Sequence, residues 1–85
     1  MTATGDIIAA VQVLIQQLHQ SVTATNAAAQ RAEQARGAAA ALGHAQGVAT
    51  FGAIHQTLAE VQQGIGPLID RARTAITQAQ AAEGG

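Results

Sequence analysis

Gly43-His44-Ala45-Gln46-Gly47 lies at the middle of an 85-residue chain, where two helical rhythms fail to join. Upstream, one series runs Ile8, Val11, Ile15, Leu18, Val22, Thr25, Ala29, Ala32, Arg36, Ala39. Its steps alternate three and four, the seam of a helix packed against other helices. Downstream, a second series runs Phe51, Ile54, Leu58, Val61, Ile65, Leu68, Ala72, Ala75, Ala79, Ala82. Extended toward each other, the two series arrive one residue out of register. The mismatch falls where glycine offers a helix C-cap and inexpensive turn geometry. A turn over about 43–47 therefore takes precedence over a single uninterrupted rod. Helices are expected over about 4–42 and 48–83, with Thr4 as the first N-cap and Asp6 favourably placed in the first turn.

Gly64-Ile65-Gly66-Pro67 is the weak point of the second helix. Proline inside a helix removes a hydrogen bond and crowds the preceding turn, at a cost of about 3 kcal/mol. It also suits the first position of a new helix. The three-four rhythm passes through Pro67 without losing phase, which favours one kinked helix over a third helix beginning there.

Folding at 43–47 brings the alanine-rich stretch 27–41 beside Phe51, Ile54 and Leu58. The bulky stretch 7–18 then meets Ala72, Ala75 and Ala79. Large opposite small lets the layers interdigitate. The fold class expected is all-α: one antiparallel helical hairpin spanning 1–85, coiled-coil-like and alanine-rich. Each rod of roughly 38 residues is about 57 Å long, and two such rods enclose no complete core. Ile7, Leu14, Ile69 and Ile76 beside the seams are the candidate interface residues. Self-association into a four-helix bundle is the simplest way to cover them.

Composition narrows the function classes. Phe51 is the sole aromatic residue, so alanine-faced helices must approach closely to fill space. Cysteine is absent, which removes disulfides and thiolate metal sites. The charged residues are four arginines and five carboxylates with no lysine. Nucleic-acid binding normally shows a basic stripe, which is missing here. No apolar run reaches the roughly 20 residues of a membrane span. The opening Met1-Thr2-Ala3-Thr4-Gly5-Asp6 lacks the basic n-region of a signal peptide. The cytoplasm is the location expected, with leaderless export as the alternative.

Residues able to carry chemistry are few and scattered. His19, His44 and His55 are spaced far wider than the one-turn pair of a helical zinc site, and read as surface or turn residues. Asp70 with Arg73, and Glu33 with Arg36, have the spacing of surface ion pairs worth a few tenths of a kcal/mol. A general acid–base pair needs a desolvated pocket, which an alanine-packed hairpin does not offer. Gly64-x-Gly66 and Gly43-x-x-x-Gly47 have neither the lysine nor the preceding strand of a phosphate loop. Arg36 falls on the seam, where its stem can cover alanine while its head reaches water. Glutamines, among them Gln12, Gln16, Gln30, Gln34, Gln62 and Gln63, are expected over the outer face.

The chain resembles small Ala/Gln/Arg-rich helical proteins of high-GC bacteria that are grouped as domains of unknown function. Its outline is also similar to the WXG superfamily of helical hairpins, which implies dimers exported by a specialised secretion system. That family carries Trp-x-Gly in the turn, where this chain has Thr50-Phe51-Gly52, and its export signal uses a tyrosine that is absent here. The reading these observations support is a non-enzymatic structural or protein–protein interaction module without a cofactor. Its expected partner is a second copy or a similar helical protein. A WXG-like secreted hairpin, and an amphipathic coat for a lipid or polymer surface, are the rival readings.

Overall fold

The computed structural model describes residues 2–84, with side chains for residues 2–82. Two helices, α1 (Ala3–Ala41) and α2 (Ala45–Gly84), pack along their whole length as an antiparallel hairpin about 64 Å long and 17 Å wide.

The start of α1 is capped by Thr2, not by Thr4 as the sequence suggested. Thr2 has extended backbone, and its Oγ1 accepts the Gly5 N–H at 2.9 Å. Its carbonyl accepts from Asp6 N at 3.0 Å, the first intrahelical bond. A threonine two residues earlier satisfies the same orphan donors and lengthens the helix by half a turn.

The reversal is shorter than expected, confined to Leu42, Gly43 and His44. Gly43 takes φ +69°, the left-handed region open to glycine without penalty. His44 N–H donates to the Ala39 carbonyl at 2.9 Å and Gly43 N–H to Ala40 at 3.1 Å, the paired bonds of a Schellman ending. His44 then begins α2. Its carbonyl accepts from Val48 N at 3.1 Å, and its imidazole Nδ1 accepts the Gly47 N–H at 2.9 Å. Because His44 caps the second helix, Gln46 and Gly47 lie inside α2 and not in the turn. Gly47 is buried against α1: a Cβ there would stand 3.1 Å from Ala39 Cβ and collide with His44 Nδ1.

Helix α2 is continuous through Pro67, so no third helix begins there. The carbonyl that loses its donor belongs to Gln63. Both residues are exposed, and water can take the place of the missing N–H. Ile65 and Ile69 on the opposite face are buried against α1 and hold the two halves in line.

The α1 seam lies where the periodicity places it. Ile8, Val11, Ile15, Leu18, Val22, Thr25, Ala29, Ala32 and Ala39 are half-buried or buried, whereas Arg36 is exposed. On α2 the inward line is Val48, Phe51, His55, Leu58, Gln62, Ile65, Ile69, Ala72, Ile76 and Ala79. Every second member of the expected series has moved by one position: Ile54, Val61 and Leu68 face out, and His55, Gln62 and Ile69 face in. The compact turn is the reason. Three residues cannot swivel, and Gly47 seated on Ala39 fixes the rotation of α2 about its axis. Asn26 accepts a hydrogen bond from Gln62 Nε2 at 2.9 Å, and Gly52 lies beneath the stem of Arg36, which fixes the register. Ile15 is thus level with Ala72, and Ala29 with Leu58. The midsection, Leu18 with Ile69 and Val22 with Ile65, matches large with large and departs from the simple large-to-small scheme.

Candidate docking face

Two lines of residues flank the seam on each helix, and in an antiparallel pair the corresponding flanks of the two helices lie on the same side. One side is polar. Glu33, Arg36, Gly52, His55, Gln56 and Ala59 line a wide, open depression there. Arg36 Nε donates to Glu33 Oε2 at 3.1 Å, and its terminal nitrogen pairs with Glu33 Oε1. That hydrogen bonding holds the Glu33 carboxyl below its ordinary range and raises the Arg36 guanidinium. Both groups are exposed, so the pair is a solvated surface bridge. It is the only ion pair among the described residues; Asp70 and Arg73, although suitably spaced, do not form one. Gln62, expected on the outer face, instead borders this side of the seam beside Asn26.

The other side is apolar. On α1 it carries Ile7, Leu14, Ser21, Ala28, Ala35 and Leu42, each seven residues from the next. On α2 it carries Ile54, Val61, Leu68 and Ala75 at the same interval. Ile7, Leu14, Ile54, Val61 and Leu68 keep 43–54% of their surface in water, and Leu42 keeps 84%. No charged residue lies on either line. Near the turn, Ala35, Ala38, Ala39, Leu42 and Phe51, with His44 at the edge, bound a mostly apolar hollow. The Ser21 hydroxyl donates to the Gln17 carbonyl of its own helix at 3.0 Å and brings no unpaired donor to the face.

The four residues read from sequence as flanking the seams differ in exposure. Ile7 and Leu14 are exposed as expected. Ile69 is only 7% exposed and Ile76 is half-buried, because both belong to the seam that joins α2 to α1. Ile54, Val61 and Leu68 take their place on the open flank. A broad apolar band on α2 conceals this from the sequence, since either edge of the band continues the three-four rhythm.

The whole surface is also large for so small a chain. A compact monomer of 8.5 kDa exposes about 4,700 Å² by the usual scaling of surface with mass. The hairpin exposes 5892 Å², a surplus of about 1,200 Å². A standard protein–protein interface buries about 800 Å² per partner. No large side chain of the described residues is fully enclosed, and the core consists of Ala29, Ala32, Ala39, Ile65, Ile69 and Ala72.

The histidines are dispersed among three tasks. His19 is exposed on α1, His44 caps α2, and His55 is half-buried at the polar edge of the seam. Among the described residues, no three His, Asp or Glu side chains gather as metal ligands. Among them, too, no helix is long and apolar enough to cross a membrane. Comparison with protein-family models, curated proteins and solved structures finds no match to this chain.

Proposed function

We propose that this chain is a non-enzymatic interaction module that works by helix–helix association, burying its apolar face against a second copy. The observation that carries the reading is the segregation of that face. Ile7, Leu14, Ile54, Val61 and Leu68 stand in water on one side of the hairpin, while Glu33, Arg36, His55 and Gln62 gather on the other. Contiguous exposed apolar surface rimmed by polar residues is the mark of an interaction site. The surplus of surface over a compact monomer is of the size a stable dimer buries.

Uncharged apolar lines along two long helices suit another pair of helices better than a small molecule, which needs a concave pocket. A lipid or polymer surface would be a different occupant, but amphipathic membrane helices use basic residues to border their apolar face. Lysine is absent here. Residence in the cytoplasm and export are equally compatible with such a module.

Sedimentation equilibrium over a dilution series tests the reading. Dimer is expected at micromolar concentration. The double variant Leu14→Glu/Leu68→Glu is expected to sediment as a monomer that retains helical circular dichroism. A wild-type protein that stays folded and monomeric at all concentrations overturns the proposal. So does a dimer indifferent to both glutamates.

A further inference from the structure

We infer that the second copy docks in one particular orientation: both turns at the same end of the bundle, with α1 of each chain lying on α2 of the other. This rests on the self-association proposed above and adds its geometry.

The argument comes from the relief of the apolar face. At each level along the hairpin, one of its two lines carries a large residue and the other a small one. Toward the free ends, Leu14 on α1 is level with Ala75 on α2. Past the middle the sides exchange: Leu68 on α2 is level with Ser21 on α1, and Val61 with Ala28. The ridge therefore starts on α1 at the free ends, crosses to α2 through Leu68, Val61 and Ile54, and returns to α1 at Leu42 beside the turn, and the groove does the opposite.

Two-fold docking of such a face on itself can be arranged in two ways. With the axis along the hairpin, α1 lies over the partner's α2 at the same level. Every large residue of one chain then meets a small residue of the other: Leu14 over Ala75, Leu68 over Ser21, Val61 over Ala28. With the axis across the hairpin, the chains run in opposite directions and each helix lies on its own copy. Leu68 then meets Val61 of the second chain and Ile7 meets Leu42, while Ser21 falls opposite Ala28; only Leu14 over Ala35 and Ile54 over Ala75 mesh. Two ridges collide, and two hollows coincide beside them. Interiors pack to crystal-like density, and both overfilled and empty layers destabilise them. The first arrangement meshes at every level of the face and the second at only some of them.

The absence of cysteine makes the test direct. A single spin label on Gln46→Cys, an exposed position beside the turn, reports the distance between the two turns. A dimer with its turns together places the labels within about 30 Å, the width of a helical bundle plus two label arms. Opposed chains would place them nearly one hairpin length, 64 Å, apart. A short distance supports the inference; a long one overturns it while leaving self-association intact. A monomer in sedimentation, with no intermolecular distance, overturns both. The size exchange provides a second readout. Ala28→Val alone sets valine against valine and is expected to weaken the dimer about tenfold, the scale of modest overpacking. Ala28→Val/Val61→Ala restores large opposite small and is expected to recover most of that loss. If the double variant is no tighter than the single one, the proposed meshing is wrong.

Discussion

His44 closes one helix with its backbone N–H and opens the next with its ring. Serine, threonine, aspartate and asparagine are the usual residues at an N-cap, and here an imidazole nitrogen takes that place by accepting from Gly47. A nitrogen that accepts carries no proton, so the ring presents its N–H at Nε2. His44→Ala is expected to cost about 1 kcal/mol, and His44→Asp to recover most of it, read as urea midpoints. An alanine variant as stable as wild type would show that the ring contributes nothing. Gly47 is required for a different reason, the space already occupied by His44 and Ala39. Gly47→Ala should lower the melting temperature even though alanine is the better helix former. Gly37 provides the contrast, since a Cβ there meets nothing within 4 Å. Gly37→Ala should stabilise by about 0.5–1 kcal/mol. If both substitutions shift stability in the same direction, close approach at the turn is not what selects glycine at 47.

Each helix, taken as an element, is held by its seam more than by its propensity. Gly64, Gly66 and Pro67 would interrupt α2 in isolation, yet it continues because Ile65 and Ile69 are buried on one face of the same two turns. Replacing Pro67 by alanine restores a donor to the Gln63 carbonyl and removes the ring. Thermal melts should then show stabilisation of up to about 3 kcal/mol, because Pro67 is exposed and no packing is lost with it. No gain in melting temperature would mean that the proline is already accommodated without cost. Mid-helix hydroxyls behave uniformly: Ser21, Thr25, Thr57 and Thr74 each donate to the carbonyl four residues back. They are satisfied within their own helices.

At the scale of the molecule, a two-rod assembly has no inside. Among the described residues no side chain is fully enclosed, and the most enclosed side chains are alanines and two isoleucines. Stability that depends on a second chain varies with protein concentration, because association shifts folding by mass action. The melting temperature is therefore expected to rise several degrees over a hundredfold increase in concentration. A constant value across that range, measured by circular dichroism, would indicate a hairpin that stands alone.

The primary structure determined the all-helical class, the reversal near Gly43 and the α1 seam from Ile8 to Ala39. All three are set by local chemistry: side-chain periodicity, and glycine's access to positive φ. It also placed Ile7 and Leu14 beside that seam, where they are exposed. The cap at Thr2 was readable too, but Thr4 has the same chemistry and only the completed first turn chooses between them. What the tertiary structure alone decided was the rotation of α2. From Ile65 to Ala79 its apolar band is three positions wide, so the rhythm alone allows either Ile54, Val61 and Leu68 or His55, Gln62 and Ile69 on the inside. Hydropathy along the chain favours the first set. The three-residue turn, with Gly47 pressed on Ala39, selects the second, because a connection that short fixes the phase of one helix against the other. Which edge of a broad apolar band is covered depends on a contact between residues on different helices, and periodicity within one helix carries no information about it.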